Sequence, residues 1–138
     1  MSTDEHAASC CCKSLAITVT ADPDLVIVCN CTQCQRRTGS TFGVGAYYKR
    51  ERVVAIKGKS ARFNRAAESG RQLTFHFCSN CGTSVYWTLE MRPDHFGIAA
   101  GCFDDPGFLH PTRVLWAQHK HFWVQFPEEL PIFPQAAT

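Results

Sequence analysis

The clearest pattern along the chain is a short alternation with a period of two, in a sequence otherwise broken into short strand-like runs by turn residues. Leu15, Ile17 and Val19 are separated by Ala16, Thr18 and Thr20, which marks a half-buried strand, and Ala21-Asp22-Pro23-Asp24 reads as the turn that ends it. A second strand runs from Leu25 to Val28. Further short strands are expected at Gly43–Tyr48, Val53–Lys57, Ala61–Asn64, Gln72–Phe77, Ser84–Leu89, Phe96–Ala100, Arg113–Trp116 and Phe122–Phe126. No segment sustains an apolar repeat at helical spacing; Thr32–Thr38 alone suits a brief helical turn. The pattern predicts an all-β protein of mainly antiparallel strands. Pro127, Pro131 and Pro134 predict a C-terminal segment packed as irregular structure around the sheets.

Length and composition add limits. With 138 residues, 45% hydrophobic and 12% aromatic, the chain suits one globular domain with an aromatic core. Residues 1–9 are expected to be a flexible N-terminal segment and 10–138 a single domain. A formal charge of +2 is too small by itself to suggest a nucleic-acid or membrane partner, and a small or neutral partner fits at least as well; no nucleic-acid or membrane partner is expected. Met1 to Ser9 carries Asp4 and Glu5 and no apolar run, so it reads as neither signal peptide nor membrane anchor. A cytoplasmic location is expected. There, nine cysteines at regular short spacings point to metal rather than to disulfides, and the odd number argues the same way.

Seven of the nine fall in clusters: Cys10 and Cys12 as C-x-C, Cys29, Cys31 and Cys34 as C-x-C-x-x-C, and Cys78 and Cys81 as C-x-x-C. Spacings of one or two residues let a tight turn aim both sulfurs at one ion, and soft thiolates favour zinc. A structural zinc takes four protein ligands, whereas a catalytic zinc keeps one position free, so seven ligands divide as four plus three. Spacing does not say which N-terminal cluster joins Cys78 and Cys81.

Cys29-Asn30-Cys31-Thr32-Gln33-Cys34-Gln35-Arg36-Arg37-Thr38-Gly39-Ser40, followed by Phe77-Cys78-Ser79-Asn80-Cys81-Gly82-Thr83, resembles the glutathione-dependent formaldehyde-activating enzyme (GFA) family, which includes centromere protein V. The similarity continues through Gly101-Cys102-Phe103-Asp104-Asp105-Pro106, Trp116, Trp123 and Leu130-Pro131. The resemblance implies a β-tent fold with a structural zinc on Cys10, Cys12, Cys78 and Cys81. It also implies a catalytic zinc on Cys29, Cys31 and Cys34. The implied activity is that of a carbon–sulfur lyase such as S-(hydroxymethyl)glutathione synthase, joining glutathione or a similar small thiol to formaldehyde or a related aldehyde. A non-catalytic zinc-binding interaction module is the alternative, which the near-neutral charge disfavours.

Lys13 stands where the family usually has a glycine after the first C-x-C, and Val114 where a histidine often precedes the Trp116 motif. Arg36 and Arg37 follow the ligands as candidate carboxylate or oxyanion partners, or as ordinary exposed charges. Cys11 and Cys102 lack a clustered partner and are expected to be buried thiols acting as small hydrophobes. His119 and His121 are expected to be ordinary surface histidines. Phe42, Tyr47, Tyr48, Phe63, Phe75, Tyr86 and Trp87 are expected mainly in the core, with one or two shaping a pocket.

Overall fold

Period-two segments too short to stand alone must pair, and they do so in two sheets. The computed structural model describes residues 4–136. A three-stranded sheet has the order β1-β2-β5, with β1 Glu5–Ser9, β2 Ala16–Thr20 and β5 Val53–Lys57. A seven-stranded sheet has the order β10-β3-β4-β9-β8-β7-β6, with β3 Leu25–Cys29, β4 Gly43–Lys49, β6 Ser60–Ala66, β7 Gln72–Cys78, β8 Ser84–Leu89, β9 Arg92–Ala99 and β10 Arg113–Leu115. Every strand pair is antiparallel except β10 with β3, which run parallel. Among the described residues one α-helix, α1, covers Thr32–Thr38 as expected. The protein is all-β, and no helix of the described residues is long and apolar enough to cross a membrane.

The main core lies between the sheets. Ala8, Ile17 and Val19 of the small sheet pack with Val26, Ala46, Tyr48, Tyr86 and Ile98 of the large one. Cys10 and Cys78 belong to the same cluster, each about 1% exposed, so the sandwich core reaches the cysteines themselves.

The large sheet also has a second, outward face. Residues directly opposite in a ladder share a face, and the register lines up Cys29 with Gly43, Tyr47 with Gly97, Gly97 with Trp87, and Trp87 with Phe75. Trp87 lies across two glycine positions. A Cβ on Gly97 would come within 2.2 Å of its Nε1, and one on Gly45 within 2.7 Å of its Cζ2. The ring therefore sits against bare backbone, and its Nε1–H donates to Tyr47 Oη at 3.2 Å. Phe75, 5.6 Å from Trp87 between centroids, extends this into an aromatic floor.

Several expectations need correction. Glu5–Ser9, expected in a flexible segment, form β1, paired along its length with β2, and Ala8 is fully buried. Alanine and serine carry little strand signal; pairing and burial decide the outcome. Phe122–Phe126 do not form a strand. Phe122 and Trp123 are 91% and 61% exposed, and Val124 N–H closes a turn onto His121 O. Their aromatic content mimics a strand without providing a neighbour to pair with. The proline-rich end does pack irregularly on the sheet: Val114 N–H donates to Pro131 O and Phe133 N–H to Val114 O, both at 2.9 Å.

Candidate metal centres

Two similar turns, far apart in sequence, face each other at one end of the sandwich. In the first, Cys10 N–H donates to Leu15 O and Lys13 N–H to Cys10 O; in the second, Cys78 N–H donates to Thr83 O and Gly82 N–H to Cys78 O. Each turn aims backbone N–H groups at a sulfur. Leu15 N–H lies 3.2 Å from Cys10 Sγ, and Asn80 N–H lies 3.3 Å from Cys78 Sγ. Such bonds stabilise thiolate, the form that binds metal. The sulfurs of Cys10, Cys12, Cys78 and Cys81 all lie within 4.8 Å of one another.

Cys12 Sγ is 3.6 Å from both Cys10 Sγ and Cys78 Sγ. Four sulfurs about 2.3 Å from a tetrahedral zinc would be roughly 3.8 Å apart, so this donor set fits that ion. Ser14 Oγ lies 3.1 Å from Cys12 Sγ and 3.2 Å from Cys78 Sγ. The Ser14 hydroxyl draws the Cys12 thiol down to about 7, and the Thr83 hydroxyl draws Cys81 down to about 5. Burial pushes the Cys10 thiol up.

Each turn needs a left-handed residue after its second cysteine. Gly82 supplies one with φ 82°, and Lys13 occupies the other with φ 69°. A lysine there bears a strain that glycine would not. Its ammonium contacts Asp104 at 3.6 Å, but both side chains are mostly exposed, so the ion pair compensates little. Lys13→Gly is therefore expected to leave stability unchanged or to raise it by up to about 1 kcal/mol. Thermal unfolding of the two forms checks this; a clear drop in the midpoint would contradict it.

The second cluster is local. Cys29 ends β3, Cys31 is the N-cap of α1, and Cys34 lies in its first turn. The N-cap role is unusual for cysteine: its sulfur accepts the Cys34 N–H at 3.3 Å, where an oxygen commonly would. All three are half-buried, and their sulfurs lie within 4.8 Å of one another. Among the described residues no Cys, His, Asp or Glu joins them as a fourth ligand. Three thiolates match the donor set of a zinc with one position open. The trio shares its protons unevenly. Hydrogen bonds from Cys29 and then Cys34 hold Cys31 far below the usual thiol range, while those with Cys31 and Cys34, together with burial, hold Cys29 far above it.

Helix α1 is clasped from the C-terminal side. Gln35 Nε2 donates to Asn30 O at 2.8 Å and to His119 O at 3.3 Å, and Gln35 Oε1 pairs with His121 Nε2 at 3.1 Å. His119 and His121 are exposed, as expected, and no metal-binding group among the described residues includes them. His119 stacks on Trp116, which itself takes a left-handed conformation at φ 57°. Gly39, with φ 66°, closes the helix by donating its N–H to Gln35 O.

Two grooves meet at Arg37 of helix α1, and none of the three cysteines lines either. One, of about 520 Å³, runs from Arg37, Phe42 and Gly43 past Ala99 and Cys102 to Cys81 of the other cluster. The second, of about 260 Å³, is lined by Arg36, Arg37, Phe63, Arg65, Phe75 and Phe77 among others. Of the aromatics expected mainly in the core, Tyr48 and Tyr86 belong to the main core, Phe75 and Trp87 are buried in a second core cluster with Tyr47 packed against it, and Phe42 and Phe63 line grooves. Phe63 is 58% exposed.

Val114 is fully buried and pairs with Val28, so that position serves the core instead of a pocket wall. Cys102 is half-buried, and burial pushes its thiol up to about 11. Cys11, expected to be buried, is exposed; its backbone N–H donates to Thr83 Oγ1 at 3.2 Å and ties the two turns together.

Arg65 and Gln35 are the neighbours of the trio that sequence reasoning did not single out. The signal for Arg65 was its period-two spacing from Phe63, but the strand expected at Ala61–Asn64 stopped one residue short; β6 continues to Ala66.

A sequence model of the family described as glutathione-dependent formaldehyde-activating enzyme matches residues 5–119. The crystal structure of a Rhodobacter sphaeroides protein is also similar, with a TM-score of 0.57 and 16% identity, covering 76% of this chain and 91% of that one. At that identity the likeness speaks for the fold alone.

Proposed function

Because the chain belongs to the glutathione-dependent formaldehyde-activating enzyme family, we propose that it is a cytoplasmic, zinc-dependent carbon–sulfur lyase of the S-(hydroxymethyl)glutathione synthase type. It joins a small thiol such as glutathione to formaldehyde or a related aldehyde at Cys29, Cys31 and Cys34. Cys10, Cys12, Cys78 and Cys81 hold a structural zinc. The observation that carries this reading is the contrast between the clusters: four sulfurs close around one point, whereas three sulfurs stand without a fourth protein ligand among the described residues.

Cys29, Cys31 and Cys34 would hold the zinc, which when bound would supply Lewis acidity that lowers the pKa of a substrate thiol. The protein's own groups do the rest. The Cys34 N–H fixes the Cys31 sulfur, and Gln35 fixes the helix that carries Cys31 and Cys34. The aromatic floor removes water from one side of the site, which strengthens electrostatic interactions there. In the reaction the thiol sulfur adds to the carbonyl carbon. One carbon–sulfur bond forms, the carbonyl π pair moves to oxygen, and that oxygen takes up a proton equivalent to the one the thiol released. The gain in rate comes from orientation of the two reactants and from positive charge near the developing alkoxide.

The test is exchange between ¹³C-formaldehyde and its glutathione adduct, followed by magnetisation-transfer NMR against the uncatalysed background. Wild type is expected to accelerate exchange, and Cys31→Ala to lower that acceleration by about a hundredfold or more, in line with loss of a preorganised charge-stabilising centre. Equal acceleration by the folded Cys31→Ala protein would refute the assignment of the reaction to this cluster.

A further inference from the structure

Three arginines converge beside the trio, and no carboxylate meets them. Arg36 and Arg37 come from α1 and Arg65 from β6, and all three line the 260 Å³ groove, whose lining contains no acidic residue. None of them belongs to an ion pair among the described residues. The chain carries a formal charge of only +2, so this is a local concentration of charge and not a property of the whole surface.

Arg37 and Arg65 are held by rings. The Arg37 guanidinium lies 4.6 Å from the Trp87 ring centroid and 5.8 Å from that of Phe75, and the Arg65 guanidinium lies 5.4 Å from the Phe75 centroid. A guanidinium stacked on an aromatic face keeps its planar N–H edge for a bidentate acceptor. Both arginines are half-buried, which lowers the entropy cost of using them. Two like charges over one ring repel each other, and an anion between them removes that penalty.

The groove adjoins the cysteines. A Cβ built on Gly43 would lie 2.7 Å from Arg37 Nη2 and 3.4 Å from Cys34 Cβ, so the guanidinium fork and a ligand-bearing segment press on the same bare backbone. A molecule with its sulfur at the trio and a carboxylate a few bonds away can reach the fork.

We propose that Arg37 and Arg65 form a carboxylate clamp that selects acidic thiols, those with a carboxylate within a few bonds of the sulfur, over neutral or basic ones. The clamp rests on the reading of Cys29, Cys31 and Cys34 as the thiol site. Arg36, exposed at the rim, adds attraction without fixed geometry.

A competing role for the same arginines is to balance the single negative charge that three thiolates leave on a divalent cation. The two roles separate with ligands that carry no ionisable thiol. S-methylglutathione and its diethyl ester, which masks both carboxylates, are titrated into the zinc-loaded protein while the Trp87 indole and arginine Nε–H resonances are followed by NMR. Wild type is expected to bind the acid at least about tenfold more tightly than the ester, as loss of a charged hydrogen-bond partner predicts. In Arg37→Gln and Arg65→Gln the acid is expected to weaken by about tenfold while the ester is unchanged, so the preference collapses.

An equal affinity for acid and ester in wild type would overturn the clamp. So would variants that lose zinc yet keep the acid-over-ester ratio, since the arginines would then serve the metal centre alone. Carboxylate-dependent binding in a protein that fails the exchange assay would sink the lyase reading and leave the clamp standing, so the two failures are distinguishable.

Discussion

Cys78→Ala is expected to abolish cooperative folding. Cys78 is about 1% exposed, belongs to the sandwich core and sits 3.6 Å from the sulfur of Cys12, which lies 66 residues away in sequence. The four-cysteine site thus joins the β1–β2 turn to the turn between β7 and β8, one from each sheet. Structural zinc sites in small peptides contribute on the order of 10–16 kcal/mol of apparent binding free energy, comparable with the roughly 5–15 kcal/mol that holds a whole domain together. Removing one thiolate leaves three sulfurs in a partly dry pocket around a poorly satisfied ion, and the truncation adds a cavity. Circular dichroism during heating should show no sharp transition, and the purified variant should hold less zinc. Near-wild-type melting with full zinc would mean that the site does not hold the fold.

Gly58→Ala is expected to cost about 2–5 kcal/mol although it removes no atom. Gly58 has φ +89°, and an added Cβ would lie 1.8 Å from Ser14 O and 2.9 Å from Ser14 C. The obstruction is backbone, which cannot rotate away. The turn between β5 and β6 must separate from the turn that carries Cys10 and Cys12, or the β2–β5 ladder that ends at Ala16 and Lys57 must shift. The left-handed conformation adds about 1–2 kcal/mol for any residue with a Cβ, and overpacking typically adds about 1–3 kcal/mol more. Urea unfolding should show a lower midpoint, with zinc lost more readily to a chelator. A midpoint within about 0.5 kcal/mol of wild type, the range of ordinary surface changes, would contradict this account of the turn.

The two predictions separate what was legible in the sequence from what was not. Strands with a buried and a solvated side, such as Ala16–Thr20, announce themselves by alternation, and Thr32–Thr38 stands out as the one segment suited to a brief helical turn. The two cysteine groups were readable in composition and spacing, and matching to the family divided them as the structure does. β1 was not legible, because Glu5-His6-Ala7-Ala8-Ser9 becomes a strand only by pairing with β2. Gly58 and Lys13 matter through backbone geometry that appears only when the two turns are built. Arg65 joins the neighbourhood of the trio through strand register across five ladders, a relation that no local pattern encodes.

The family relation places the chain among glutathione-dependent formaldehyde-activating proteins, and its sulfurs fall into two groups that could each hold a metal ion. Under the proposed function, the four cysteines, which join turns from both sheets, would close a site on which folding depends. Three cysteines within six residues close almost no loop, so a zinc held there would be free to serve a substrate.

The most direct measurement is zinc per folded chain, by elemental analysis, in wild type and in a Cys29→Ala, Cys31→Ala, Cys34→Ala triple variant. The account predicts two zinc ions falling to one, with the variant still unfolding cooperatively near the wild-type midpoint. Equal zinc in both proteins, or a triple variant that cannot fold, would contradict the division into a closed structural site and an open reactive one.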